Sequence, residues 1–405
     1  MKPKVCITAL EFPPDIGGVG ESVQRIAHML IDLDYSVHVA VFRAVFRDQR
    51  AMAAAGEFQR SSCQTIEQDG VTVHRLKPAV RSPQAKEQDY FCDLYGQLKT
   101  LHRQYQFDVL HAFFINEMGF LTTLLGQEEE IPVINSVRGA DLHKHMFSPQ
   151  QFSQITWTLA QSAWTTFVSR ELMHRARTLV PSIEEKSSAF WNAIAPLDFS
   201  NLPQPSLVHK LQETVIGSVG SFRDKKGVEY LFDACQSLGD RPFTLLFVGD
   251  FVTKEREYWT QEIERSGLAN HIVVTGKVSH TEALAYLPHM DIFAIPSLHD
   301  GCPNALLEAM LAAKAIVGTN VDAIGEILED SVNGLVVNPA DSVGLANALQ
   351  QLITQPHLRE QLGLAAKDKV LHQLTPAVEQ QNWQWVYQQA LSTPTELEKI
   401  LALTI

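Results

Sequence analysis

Positive charge, paired cysteines and long apolar runs are all scarce in this chain, and each scarcity closes off a class of function. Lys and Arg number 33 against 46 Asp and Glu, for a formal net charge of −13. That balance argues against broad contact with nucleic acid or an anionic membrane, while leaving room for a local basic patch. Arg43, Arg47, Arg50 and Arg60 lie close enough for one, although a solvated helix face beside a loop is the plainer reading of such a run. Cysteines stand at 6, 63, 92, 235 and 302, an odd number with no close pairs. This is neither a disulfide framework nor a zinc site, and it suits a reducing cytoplasm. No apolar run approaches the ~18–20 residues that a membrane span needs. Met1–Lys4 leads straight into a short apolar stretch ending at Leu10, too short for a signal peptide. The expectation is a soluble chain, at most peripheral to a membrane.

What is present is an alternation. A chain of 405 residues exceeds the ~250–300 at which one core stops growing, so two domains are expected. Short β-branched runs at Val5–Leu10, Val37–Phe42, Val71–Leu76, Val109–Phe113, Val133–Val137 and Thr165–Val168 read as strands. A second series runs through Val215–Val219, Thr244–Val248, Ile272–Val274, Ile292–Ile295, Ala315–Gly318 and Leu335–Val337. Amphipathic patterns lie between most of them, for example at Glu21–Leu33, Tyr90–Tyr105, Gly227–Leu238 and Asn304–Ala313. Alternation of this kind predicts α/β domains whose parallel sheets are covered on both faces. Asn201–Ser206 contains two prolines and is polar, the composition of a linker. The expected domains are therefore 1–205 and 206–375, and 376–405 read as helices packing back on the first domain. Open α/β sheets bind ligands at the carboxyl ends of their strands.

Three segments at such strand ends carry chemistry. From Pro296 to Glu308 a strand gives way to a polar loop and then to a helix that Pro303 would start. Free amides and the helix dipole there suit a diphosphate. Glu308 is the one charged residue between Asp300 and Lys314, and a carboxylate among apolar neighbours needs hydrogen-bond donors. Ribose hydroxyls would serve; a loop amide or an internal arginine would serve equally. Val219–Gly227 is a strand, a glycine turn and a helix start with Lys225 and Lys226 at the entry. It lacks Walker spacing, and the lysines of a solvated turn would look the same. Pro13–Gly20 joins the first strand to the first helix through Gly17 and Gly18, without the dinucleotide fingerprint's glycine spacing.

Taken in order, these segments resemble the retaining glycosyltransferases of family 4 (glycosyl transferases group 1). The spacing from Asp300 to Glu308, Asp322 and Glu326, Asn333-Gly334-Leu335, the Gly220–Gly227 turn, Gly249-Asp250 and Gly276-x-Val278 before Asp291 all match. The likeness spans nearly the whole chain and is most specific from 215 to 350. It implies the GT-B fold, two doubly wound Rossmann-like domains facing across a cleft. The enzyme it implies is a hexosyltransferase that takes a UDP-, GDP- or ADP-sugar, with no metal and no tightly bound cofactor. Glu308 would hold the ribose, Lys226 the diphosphate and Asp300 the donor sugar. The amides of Gly301, Cys302, Pro303, Asn304, Ala305 and Leu306 would line phosphate and sugar; proline has no amide N–H to give. Gly276 and Val278 would hold the base, Gly249 the neighbouring strand end, and Gly17 and Gly18 would approach the phosphate from the first domain.

The departures bear on activity. The family usually has glutamate at the Asp300 position and arginine at the Ser221 position, where Arg223 is the nearest replacement cation. Arg forks phosphate in a way that serine cannot. A family histidine aligns with Phe113; His111 shares its strand face, although a satisfied core histidine is the blander reading. A common His-Gly pair is Arg138-Gly139 here, and its fixed charge points to an anionic acceptor or a phosphate contact. A catalytically silent sugar-nucleotide-binding protein, a phosphorylase or an epimerase of the same fold is the alternative. Donor base, sugar, acceptor and oligomeric state are not written in the sequence.

Overall fold

The computed structural model describes residues 2–15, 17–42, 52–239 and 241–392. Arg43, Arg47 and Arg50 of the arginine run lie outside them, as does the last stretch of the C-terminal segment; Arg60 is exposed. The chain forms two compact units, one from residues 1–168, 172–190 and 380 onward, the other from 169–171 and 191–379.

The first unit contains β1 (Lys4–Ala9), α1 (Gly18–Asp32), β2 (Ser36–Phe42), β3 (Ser62–Gln68), β4 (Val71–Lys77), α2 (Glu87–Tyr105) and β5 (Val109–Phe113). It continues with α3 (Glu117–Glu128), β6 (Val133–Val137), α4 (Ala140–His143), α5 (Pro149–Gln161), β7 (Trp164–Phe167), α6 (Arg170–Leu179) and β8 (Ser187–Ala189). The sheet order is β3-β4-β2-β1-β5-β6-β7-β8. All pairs are parallel except β3 with β4. β5 and β6 are buried end to end, so they show no polar alternation. Val5, Ile7, Val39 and Ile26 share a core with Trp383, Val386 and Tyr387. Burial of each such side chain contributes about 1.5–3 kcal/mol.

The second unit contains β9 (Thr214–Val219), α7 (Val228–Gln236), β10 (Phe243–Val248), α8 (Thr253–Arg265), β11 (Ile272–Val274), α9 (His280–Tyr286) and β12 (Ile292–Ile295). Then come α10 (Asn304–Leu311), β13 (Ala315–Thr319), α11 (Asp322–Ile327), β14 (Leu335–Val337), α12 (Ser342–Thr354) and α13 (Pro356–Gln373), while α14 (Pro376–Ser392) belongs from Gln380 onward to the first unit. The order is β11-β10-β9-β12-β13-β14, parallel throughout. Ile216, Leu245, Phe247 and Val317 bury one face, and Val215, Leu246, Phe293 and Ile316 the other. Two covered faces explain strands that read as unbroken apolar runs.

The chain enters the second unit at Trp191, upstream of the proline-rich stretch 201–206. The intervening segment is committed by packing, since Trp191, Ile194, Phe199, Leu202, Leu207 and Leu211 all lie against the second unit's core. Among the described residues no helix is long and apolar enough to cross a membrane.

Candidate functional site

In the second sheet the winding reverses between β9 and β12, which are hydrogen-bonded neighbours. Loops that leave adjacent strands in opposite directions open a crevice at their carboxyl ends. Residues 220–227 and 296–303 are those two loops, and they are stitched together. Leu298 N–H donates to Lys225 O at 2.9 Å. Gly227 has φ +64°, and a Cβ there would lie 1.9 Å from the carbonyl oxygen of Pro296. Glycine is required on both counts, conformation and close approach.

This junction brings the acid and the lysines together. Lys226 Nζ donates to Asp300 Oδ2 at 2.5 Å, and Lys225 Nζ stands 3.5 Å from Asp300 Oδ1. Burial pushes the Asp300 carboxyl up, but the two ammonium groups outweigh it and hold the group at about 2. Burial lowers Lys225 against the pull of Asp300. Asp300 N–H donates to Asp322 Oδ2 (2.9 Å) and Asp322 N–H to Glu171 Oε2 (2.8 Å). Glu326 accepts from the backbone of Arg170 and Glu171 and from Trp191 Nε1. The acids at 322 and 326 therefore tie backbone segments together, and Asp322 fixes the backbone at Asp300.

Glu308 is buried one turn into α10. Its Oε1 meets Nε2 of the half-exposed His280, from the start of α9, at 2.8 Å. Among the described residues the place is filled by His280 rather than by a loop amide or an arginine. Pro303 precedes the helix as its cap, one residue earlier than expected. Leu306 is buried and its N–H bonds Pro303 O (3.1 Å), so that amide is committed inside the first turn. Asn192 donates to Cys302 O (3.1 Å) and Asn304 Oδ1 (3.2 Å), bracing the loop from below. Nothing in the sequence linked Asn192 or His280 to this loop; neither lies in the spacing pattern.

Around the same edge, Ser221 and Arg223 are exposed and Phe222 between them is buried against Phe247 and Phe251. Gly249 has φ +127° and crowds Gly220 O. Its N–H donates to Thr275 Oγ1, which in turn bonds Gly276 O. Gly276, at φ +70°, borders open space, and Val278 packs on the core. Among the described residues no group of His, Cys, Asp and Glu side chains has the arrangement of a metal site.

In the first unit the winding reverses between β1 and β5. The loop after β1 is pinned by Arg75, which pairs with Asp15 (2.7 Å) and bonds Phe12 O and Pro13 O. Gly17 is extended, and Glu11 presses on it. Gly18 O accepts from Ser22 Oγ (2.9 Å), and Ser22 Oγ accepts from Arg138 Nη2 (3.2 Å). The Arg138 guanidinium lies 5.4 Å from the Phe113 ring centroid. Buried Asp141 accepts from the backbone N–H groups of Arg138 and Ile115. His111 is a core residue: Nδ1 pairs with Tyr387 and Nε2 with Ser136, each at 2.8 Å. Burial, then Arg138, push its pKa down to about 3.

Two doubly wound units of this order define the GT-B class of α/β proteins. Comparison with known proteins agrees. Residues 213–355 match the family "Glycosyl transferases group 1" and residues 17–185 the "Glycosyl transferase 4-like domain". The chain is 26% identical over 158 residues to the 2-deoxystreptamine N-acetyl-D-glucosaminyltransferase of Niallia circulans, spanning 39% of this chain and 41% of that one. It is 22% identical over 368 residues to an uncharacterized glycosyltransferase of Methanocaldococcus jannaschii, spanning 90% and 92%. The crystal structure of Anabaena HepE with UDP and glucose superposes with a TM-score of 0.73 at 17% identity, covering 95% of this chain and 99% of that one. The chain belongs to the group 1 glycosyltransferases of family 4 type, and is an enzyme of the hexosyltransferase kind.

Proposed function

We propose that the enzyme takes a hexosyl group from a UDP-, GDP- or ADP-sugar and passes it to a sugar, glycan, lipid or small-molecule acceptor in the cytoplasm. Transfer proceeds with retention, without a metal ion and without a tightly bound cofactor. The observation that carries this reading is the meeting of Lys226 with Asp300 at the ends of β9 and β12, with buried Glu308 one turn into the helix that follows the Asp300 loop. Lys226 exchanges Asp300 for the diphosphate and stabilises the charge that develops on the leaving nucleotide. Asp300, ionised, accepts hydrogen bonds from hydroxyls of the donor sugar. Glu308 gives up His280 and accepts from the ribose. The open backbone at Gly276 and the adjoining Val278 take the base. A sugar attacked from its leaving-group side needs no protein nucleophile, and none is assigned. That HepE binds UDP and glucose supports a nucleoside diphosphate donor here.

In the first unit, Gly17, Gly18 and Arg138 are assigned to phosphate approach and acceptor recognition, with Arg138 favouring an anionic acceptor. His111 is left out, because both ring nitrogens are satisfied in the core. The test is a thermal-shift panel of UDP-, GDP- and ADP-sugars followed by turnover of the best binder. Stabilisation with release of nucleoside diphosphate supports the transferase. Stabilisation without turnover means a silent binding protein, and sugar phosphate formation from free phosphate without nucleotide means a phosphorylase.

A further inference from the structure

Lys225 adjoins Lys226 yet has no part in the donor chemistry above. The two ammonium groups divide one carboxylate between them, Lys226 on Oδ2 and Lys225 on Oδ1 of Asp300. They are not equivalent. Lys226 also overhangs the glycine turn: a Cβ on Gly220 would lie 3.9 Å from its Nζ. A diphosphate that closes on that turn therefore competes for Lys226 directly. Lys225 is fixed to the opposite loop instead, through its carbonyl on Leu298 N–H and through Gly227 pressed on Pro296. Asp300 is only 13% exposed at its side chain, and a carboxylate so enclosed is costly once its partner leaves. Being a methylene shorter than glutamate, it also has less reach to follow the sugar.

We propose that Lys225 is a positioning residue: when the donor diphosphate draws Lys226 away, Lys225 takes over as the cationic partner of Asp300 and holds the carboxylate where the sugar hydroxyls arrive. This rests on the donor reading above, and it assigns to Lys225 a task separate from phosphate binding. Loss of Lys225 should then injure the handling of the sugar and spare the nucleotide.

Three variants of the full chain, Lys225→Met, Lys225→Arg and Lys226→Met, are compared in two measurements. One is the affinity for whichever of UDP, GDP and ADP the wild type binds most tightly, by calorimetry. The other is kcat for hydrolysis of the matching nucleoside diphosphate hexose, which needs no acceptor. Lys225→Met should bind the nucleoside diphosphate within about threefold of wild type while kcat falls by roughly tenfold to a hundredfold, the scale of a charged hydrogen bond. Lys225→Arg should recover most of that kcat, and Lys226→Met should lose nucleotide affinity. If Lys225→Met loses nucleotide affinity as Lys226→Met does, Lys225 is a phosphate ligand and the proposal is wrong. Unchanged kcat in Lys225→Met overturns it as well. Should that variant not fold, Lys225→Gln carries the same comparison. A wild type that binds none of the three nucleotides and turns over no donor removes the donor reading itself, which is a different result.

Discussion

Removing the Glu308 carboxylate probes the proposed donor site at a buried charge. The carboxylate is buried and meets the half-exposed imidazole of His280 at 2.8 Å. In the proposed reading, that bond is exchanged for a ribose hydroxyl on donor binding, and water takes the place left at His280. A hydrogen bond to a charged group contributes about 1.5–3 kcal/mol, and each 1.36 kcal/mol is about tenfold in rate. Glu308→Ala should therefore lower kcat/KM for the donor on the order of a hundredfold. Glu308→Gln keeps the shape and an acceptor oxygen but loses the charge, and should cost roughly tenfold. The same factors should appear in nucleoside diphosphate affinity, since the ribose is common to product and substrate. A 2′,3′-dideoxy donor completes a double-mutant cycle. Wild type should lose about as much on the dideoxy donor as Glu308→Ala loses on the normal one, and the combination should lose little more. Near-normal kinetics in Glu308→Ala would refute the assignment. So would a dideoxy penalty equal in the two proteins, provided both melt at similar temperatures.

Gly227→Ala should destabilise the second unit by about 2–4 kcal/mol, because the left-handed backbone adds to a clash with a carbonyl that cannot turn aside. Gly276→Ala, at a similar φ but facing open space, should cost only about 1 kcal/mol; equal melting temperatures for the two variants would contradict this reading. Acid should weaken the first unit through its buried histidines. Burial lowers His38, lowers His74 from 6.5 to about 4, and lowers His111 to about 3. A depressed folded pKa means that the unfolded chain binds more protons below pH ~6.5, so stability is full above that value and falls as pH drops toward 4. Urea midpoints at pH 7 and 5 measure it, and His74→Gln should flatten the slope; a midpoint that does not move between those pH values would count against it. Arg138→Ala should raise KM for an anionic acceptor by at least about tenfold, the scale of one charged contact, while donor hydrolysis stays near wild type. Unchanged acceptor kinetics would remove Arg138 from the acceptor site.

The strands that build both sheets were legible because burial on two faces imposes unbroken β-branched runs. β5 and β12 are buried end to end, and they stand out in the sequence for that reason. β3 left no such mark. It is an edge strand, exposed along nearly its whole length and paired only with β4, so neither face imposes a hydrophobic pattern. Ser187–Ala189, the last strand of the first sheet, is too short to show one. The proline-rich stretch misleads for a related reason. Prolines and polar residues mark a surface path, but Leu202 and Leu207, on either side of Pro203 and Pro205, pack half-buried on the core, and composition alone does not weigh two such leucines against Asn201, Gln204 and Ser206.

In the candidate site, residue types proved more legible than partners. A lone Glu308 in an apolar helix demands a donor on physical grounds alone, yet His280 is 28 positions away in sequence and the sheet brings them together. Asp322 and Glu326 show the converse. Their spacing is as regular as that of Asp300 and Glu308, but their oxygens are spent on backbone N–H groups of residues 170, 171 and 300 and on the indole of Trp191. A carboxylate that accepts from the backbone can be replaced only by a group of the same reach. This constrains its identity as strongly as a substrate contact would. Spacing marks both kinds of acid, and their hydrogen-bond partners separate them. By that criterion we group Asp300 with the proposed chemistry: its side chain is held by two lysines, of which Lys226 can be drawn away by a polyanion, whereas its backbone is fixed by Asp322. An Asp322→Ala variant tests the division, since it removes the acceptor that fixes the Asp300 backbone and leaves the side chains of Asp300, Lys225 and Lys226 in place. Its kcat should fall while nucleotide affinity holds, and a matching fall in both would put Asp322 in the donor site.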